Sequence, residues 1–162
     1  MLKNKKFVVL LLCLVILAQS AVAMAVSFPD VTKDNNSGWA YEYITELANK
    51  GIIKGYDDGT YKPENNVTYL ETLSLLNGVM SPTRTEINES LTKYRTFLNS
   101  NNTPEWALEI AAVALNRGVV QESEYSRANA AKMIELGTKV SISRYDVAVF
   151  TARALELQPK SA

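Results

Sequence analysis

The 162-residue chain balances 17 basic against 17 acidic side chains and contains one cysteine and no histidine. The lack of histidine excludes histidine-based catalysis and the usual zinc sites. A single cysteine cannot form a disulfide within the chain. The charge is balanced and follows no basic stripe, so nucleic acid is not an indicated partner.

Residues 1–25 are typical of a secretory signal peptide. Three lysines precede an apolar run over residues 7–18, and two overlapping Ala-x-Ala sites follow within residues 21–25. The alternative is a membrane anchor that is retained, but a spanning helix needs about twenty apolar residues and this run is shorter. Cleavage would remove the three lysines and the cysteine, which leaves a slightly acidic chain with no thiol and no membrane segment.

The two tryptophans mark an internal repeat. Residues 39–53 read WAYEYITELANKGII and residues 106–120 read WALEIAAVALNRGVV, with a constant offset of 67 positions. Apolar residues recur at i, i+4, i+7 and i+8, which predicts an amphipathic helix in each copy. Gly51 and Gly118 follow these helices, where a left-handed residue ends a helix at low cost only if it is glycine.

Three further helices are predicted from their first residues. Thr68 with Glu71 three positions later forms a capping box. Ser126 and Ser143 begin similar motifs, which predict helices from Ser126 through about Glu135 and from Ser143 through about Leu157.

These helices, together with one over residues 84–99, predict an all-α fold with short strands at most around residues 60–62. Residues 158–162 are expected to form a frayed tail. The expected core positions are Leu70, Leu73, Leu76, Met80, Ile87, Leu91, Tyr94, Leu98, Val147, Phe150 and Leu155.

The motifs between residues 28 and 80 resemble one full S-layer homology repeat. The matching residues are Phe28-Pro29-Asp30-Val31, Trp39-Ala40, Gly51-Ile52-Ile53, Gly55-Tyr56, Asp58-Gly59-Thr60-Tyr61, Pro63, Val67-Thr68 and Glu71. Residues 105–157 resemble the family more loosely, because they contain the tryptophan helix and two helix-start motifs but no Gly-Tyr-x-Asp-Gly turn.

This resemblance divides the chain into five parts. They are a signal peptide (1–25), a first repeat (26–80), a helical connecting segment (81–104), one or more degenerate repeats (105–157) and a tail (158–162). It also implies that the repeats pack as a pseudo-threefold helical bundle. In the family, the grooves between repeats bind a secondary cell-wall polysaccharide, often one that carries pyruvate ketals.

The resemblance also indicates candidate binding residues. The family has an arginine directly after the capping threonine or serine, and Arg127 and Arg144 occupy that position here, whereas Tyr69 replaces it in the first repeat. An arginine fork suits a sugar carboxylate because it can donate two parallel hydrogen bonds. Without the resemblance, both arginines are better explained as solvated residues at helix starts.

Trp39, Trp106 and Asp30 are the other candidate ligand-binding residues. Each tryptophan is explained equally well as a core anchor or as a sugar-facing ring. Asp30 either lines the groove or caps a local loop.

The predicted function is noncovalent attachment to the bacterial cell wall through a secondary polysaccharide. The protein is expected to be non-enzymatic, to need no cofactor or metal, and to lie at the cell surface, where S-layer or other surface proteins are further possible partners. The alternative is a degenerate repeat protein that acts as an adaptor between surface proteins.

Overall fold

The computed structural model describes residues 26–36 and 38–156 and is built from α-helices with no sheet in that part of the chain. The helices are α1 (Tyr41–Asn49), α2 (Tyr69–Met80), α3 (Arg84–Ser100), α4 (Leu108–Asn116), α5 (Glu122–Ala130) and α6 (Arg144–Ala154). The predicted all-α fold is confirmed. The signal peptide and the tail lie outside the described residues, and the threefold arrangement stays a prediction.

Two single-turn 3-10 helices, Gly38–Ala40 and Glu105–Ala107, lead into α1 and α4. Both tryptophans lie in these turns. At the other end, Gly51 and Gly118 adopt φ values of 70° and 69°, as the glycine rule predicts. The residues after them donate back into the helix, Ile52 to the Leu47 carbonyl and Val119 to the Ala114 carbonyl, so the two copies end in the same way.

The buried apolar residues form two clusters. The larger cluster surrounds α4, and it includes Leu70 and Leu73 of α2, Leu98 of α3 and Phe150 of α6. The smaller cluster lies beneath α1 and consists of Phe28, Val31, Ile44, Ala48 and Ile53. Phe28 stacks on Tyr61, with ring centroids 5.4 Å apart, and this contact attaches the N-terminal loop to the turn after α1.

Glycine at position 78 lets the segment after α1 pack closely against α2. A Cβ atom built at Gly78 would collide with the carbonyl oxygen of Ile52. The segment after α1 therefore approaches α2 more closely than a side chain at position 78 would allow.

The expected limit, short strands at most around residues 60–62, holds: no strand forms there, where Lys62 adopts a φ of 57°, and one isolated bridge joins Thr68 and Ser141. Two other local predictions are wrong. Val147 and Leu155 were expected in the core but are exposed, because no described element covers their side of α6. The helix expected at Ser126 starts earlier, as described below.

No helix of the described residues has the length and apolar character to cross a membrane.

Candidate ligand-binding site

Two helix-start motifs that are far apart in sequence meet in the structure. Thr68 pairs with Ser141 in the isolated antiparallel bridge, and the Ile142 N–H donates to the Val67 carbonyl at 3.2 Å. The segments before α2 and α6 therefore lie side by side, and the two helices pack against each other. This junction brings two N-terminal turns, with their N–H donors, into one region of the surface.

Both helices at this junction are capped as the sequence predicts. The Thr68 hydroxyl accepts from the Glu71 N–H, while the Glu71 carboxylate accepts from the Thr68 N–H at 2.8 Å. In α6, the Ser143 hydroxyl accepts from the Asp146 N–H at 3.0 Å and donates to the Asp146 carboxylate at 2.6 Å. These four side chains are thus engaged in holding the two helix starts.

The first residues of the two helices have opposite environments. Arg144 begins α6 with an exposed side chain, and Tyr145 beside it is 75% exposed. Tyr69 begins α2 and is only 3% exposed. Where the resemblance to S-layer homology repeats implies an arginine, the first repeat therefore has a residue of the core.

Tyr69 packs against aromatic rings from two other helices. Its ring meets Tyr125 of α5 at a centroid distance of 6.0 Å and Phe150 of α6 at 5.4 Å, both edge to face. Burial raises the pKa of the Tyr69 hydroxyl, which has no hydrogen-bond partner among the described residues. This position is filled by the protein itself and offers no cation to a ligand.

The structure does not place Arg127 at a helix start. Helix α5 begins at Glu122, and the Glu124 carboxylate accepts the Gln121 N–H at 2.8 Å. Arg127 is consequently in the last turn of α5, where its side chain is exposed. The Ser126 motif is not the start of the helix because the helix already begins after Gln121, five residues earlier, where Glu124 completes the cap.

Glu124 also joins α5 to α6. Its two oxygens accept from the Arg153 guanidinium at 2.7 Å and 3.1 Å, and Arg153 donates further to the Val119 carbonyl. Desolvation raises the pKa of Glu124, but the Arg153 and Gln121 donors outweigh it, and the pKa lies below its ordinary value. Arg153 is thus a structural cation, engaged inside the protein.

The two tryptophans are exposed. Trp39 is 81% exposed and Trp106 is 50% exposed, so neither is the core anchor that the sequence allowed. Trp39 lines a shallow depression with Lys33, Glu42, Tyr43 and Glu46, and none of the other four candidate residues contributes to that depression.

Asp30 fixes the loop that follows α1. Its carboxylate accepts from the Tyr61 N–H at 3.0 Å and from the Lys62 N–H at 2.7 Å. Desolvation raises the pKa of Asp30, but these backbone donors outweigh it and the pKa lies below its ordinary value. The loop-capping interpretation accounts for both carboxylate oxygens.

The candidate residues therefore do not converge on one pocket. Arg144 lies at the junction of α2 and α6, Trp39 and Trp106 lie at two helix entrances, Arg127 ends α5, and Asp30 holds a loop. Two exposed aromatic residues, Tyr145 and Tyr43, were missed. Tyr145 directly follows the motif arginine, a sequence signal that could have identified it.

What the junction offers chemically is a cation, an aromatic ring and a helix N-terminus. An exposed arginine at that end of a helix favours an anionic ligand, because the helix dipole and the guanidinium have the same sign. Among residues 26–36 and 38–156, no group of three or more acidic, histidine or cysteine side chains could hold a metal ion.

Comparison with known proteins gives one family. Residues 27–73 match the S-layer homology domain model. Outer membrane protein alpha of Thermotoga maritima is 40% identical over 58 residues, which cover 36% of this chain and 14% of that protein. No solved structure gives a significant match.

Two proteins of Acetivibrio thermocellus are also similar. Cell surface glycoprotein 1 is 46% identical over 39 residues, 24% of this chain and 2% of that protein. The cellulosome-anchoring protein is 42% identical over 45 residues, 28% of this chain and 10% of that protein. The chain thus spans only a small part of the length of each relative.

Proposed function

We propose, from the match of residues 27–73 to the S-layer homology domain model, that this chain attaches noncovalently to the bacterial cell wall. The names of its relatives, a cell surface glycoprotein and a cellulosome-anchoring protein, support a role at the cell surface. The ligand of this proposal is a secondary wall polysaccharide with carboxylate-bearing sugars. The protein is exported and binds without catalysis.

One observation carries the choice of binding group: Arg144 stands exposed at the first position of α6, with the exposed Tyr145 next to it. A carboxylate can accept two parallel bonds from the guanidinium, while the aromatic ring offers an apolar surface to a sugar ring. Thr68 and Ser143 hold the neighbouring backbone in place. The cation is therefore presented from a fixed frame.

Arg127 is the weaker candidate because of its place in α5. The last turn of a helix has unpaired carbonyl groups and a negative dipole end, which disfavour an anion. The neighbouring Glu124 adds a further negative charge near Arg127, which also disfavours an anion there. We therefore assign the carboxylate contact to Arg144.

The exposed tryptophans are additional contacts in this proposal. Trp39 and Trp106 occupy equivalent turns, and each presents an indole face to solvent at the entrance of its helix. Rings of this kind can stack on the apolar face of a sugar. Asp30 has a structural role in this proposal, because its carboxylate holds the loop after α1.

The test is co-sedimentation with purified cell-wall sacculi, before and after removal of the secondary polysaccharide. Wild-type protein should bind intact sacculi and lose binding on stripped ones. The Arg144→Ala variant should keep its melting temperature but bind at least tenfold more weakly, since loss of a charged pair at an interface costs roughly 2–5 kcal/mol.

Two variants serve as matched controls. Arg127→Ala removes the same side chain from the other end of a helix and should bind normally. Ser143→Ala should lose about 1 kcal/mol of stability with a smaller effect on binding. Equal binding to stripped walls would refute polysaccharide attachment, and normal binding by Arg144→Ala would refute the carboxylate contact.

A second candidate function is that of an adaptor between surface proteins. The observation that favours it is the apolar side of α1, where Tyr43 is 67% exposed beside Trp39.

A further inference from the structure

Helices α1 and α4 have related sequences but different surroundings. Val113 and Ala114 of α4 are fully buried, whereas the residues 67 positions earlier, Glu46 and Leu47 of α1, are exposed. Six of the nine residues of α4 are buried, and five of them belong to the larger cluster. In α1, the buried residues are Ile44 and Ala48, which lie on one side of the helix.

What covers the outer side of α4 is α3. Two ion pairs join these helices, Arg84 with Glu109 at 2.9 Å and Arg117 with Glu86 at 2.6 Å. Glu109, Val113 and Arg117 are four residues apart and so lie on one side of α4. The first turn of α3 therefore pairs with both ends of this row, and a buried valine lies between the two paired residues of α4.

Helix α1 retains the charges that hold α3 on α4. Glu42 corresponds to Glu109, and Lys50 corresponds to Arg117. In α1 these charges make local pairs, Glu42 with Lys33 and Lys50 with Glu46. All four side chains are largely exposed, so the pairs contribute little and can exchange partners.

An apolar row accompanies these charges. Trp39, Tyr43 and Leu47 follow one another at intervals of four residues, and all three are exposed. Their counterparts in the second copy are Trp106, Ile110 and Ala114, of which the last two are partly or fully buried. Leu47 has no hydrogen-bonding group, so the part of this row beyond Trp39 suits apolar side chains better than a sugar.

We propose that the outer face of α1 is the docking surface for an amphipathic helix of a partner protein. This face is formed by Trp39, Glu42, Tyr43, Glu46, Leu47 and Lys50. That helix has the chemistry of α3: an arginine and a glutamate two positions apart in its first turn, followed by an apolar side. The arginine pairs with Glu42 and the glutamate with Lys50. This interaction is separate from wall binding through Arg144.

The probe is a synthetic peptide with the sequence of residues 82–101, which includes the α3 cap at Thr83. The protein has two tryptophans, so the Trp106→Phe variant carries Trp39 as its single reporter. Adding the peptide should shift the Trp39 emission to shorter wavelength in a saturable way, because the exposed indole becomes covered. Absence of any shift would overturn the proposal.

Charge reversal tests the register of docking. A peptide with Arg84→Glu and Glu86→Arg should bind roughly tenfold more weakly, and a protein with Glu42→Arg and Lys50→Glu should restore its binding. Peptide that instead displaced the protein's own α3 would not respond to these two protein substitutions. A lack of rescue would therefore overturn the proposal.

The Tyr43→Ala variant separates the outcomes. It should no longer bind the peptide but should still bind sacculi, which distinguishes this surface from the wall-binding site. Sedimentation of the protein alone provides the last check. If the protein forms a dimer that Tyr43→Ala abolishes, the occupant of the face is a second copy of this chain, and the proposed partner is wrong.

Discussion

Replacing Glu71 with alanine tests the connection between the turn after α1 and the start of α2. The Glu71 carboxylate accepts the Thr68 N–H and the Thr68 hydroxyl, each at 2.8 Å, and the Tyr56 hydroxyl at 2.6 Å. Two of these bonds form the cap of α2, and the third fixes the turn to it. One side chain therefore organises both elements.

The structure sets the size of the effect. A hydrogen bond to a charged group is worth about 1.5–3 kcal/mol, but the three bonds are not independent and water can replace part of them at this partly exposed site. We expect Glu71→Ala to lower the free energy of unfolding by about 2–3 kcal/mol. The melting temperature should fall by roughly 5–10 °C.

The dependence on pH follows from the direction of the pKa shift. Desolvation raises the pKa of Glu71, but the Tyr56 and Thr68 donors outweigh it, and the folded-state pKa is lowered. Such a carboxylate stabilises the fold above its unfolded pKa of about 4.3, and the contribution is lost as pH falls through the folded value. Urea unfolding should thus show the full difference between wild type and variant at pH 7 and a shrinking one below about pH 4.

Asp146→Ala is the matched control. Asp146 has the same position in α6 but makes its side-chain bond to Ser143 alone, so we expect a loss of about 1 kcal/mol. If Glu71→Ala cost no more than Asp146→Ala, the Tyr56 bond would contribute nothing and the reasoning would be refuted.

Three further substitutions probe the packing, each measured by urea unfolding. Gly78→Ala should cost more than about 2 kcal/mol, because its Cβ collides with the Ile52 carbonyl; a neutral result would mean that the two segments can separate freely. Tyr69→Arg introduces the arginine of the family motif but buries a cation. It should cost at least about 3 kcal/mol of stability, because an unpaired buried charge costs roughly 3–5 kcal/mol. Arg117→Ala removes both bonds to Glu86 and should cost about 1–2 kcal/mol, an effect that 1 M salt reduces if it is electrostatic.

The elements that the sequence predicted correctly are those with local signals. The helices that end at Gly51 and Gly118 and the caps at Thr68 and Ser143 depend on residues within one turn of each other. A hydrogen bond between neighbours in sequence forms in much the same way in any surroundings. Sequence spacing alone is therefore sufficient for such features.

The start of α5 shows how a local signal can mislead. Ser126 resembles the other caps, but the third residue after it is Asn129, whereas Thr68 and Ser143 are each followed there by an acid. Gln121 has that acid in Glu124, and the helix begins there. The position of the Glu124 carboxylate in the sequence therefore indicated the correct start of α5.

Exposure could not be predicted because it depends on which elements cover a residue. Trp39 and Trp106 open similar helices, yet one is 81% exposed and the other 50% exposed. Phe150 reaches the core, whereas Val147 on the same helix remains at the surface. These differences arise from the placement of α3 and α6, which no spacing within α1 or α4 specifies.

The bridge between Thr68 and Ser141 has a consequence for how the chain folds. These residues are roughly seventy positions apart, so their pairing closes a long loop and carries a large entropic cost before its contacts can offset it. Synthesis proceeds from the N-terminus, and the Phe28 cluster can form as soon as Ile53 and Tyr61 have emerged. The Tyr69 ring can pack only after its edge-to-face partners, Tyr125 and Phe150, have been synthesised. The first repeat is thus completed in two stages, and its second stage depends on α6, the last of the described helices.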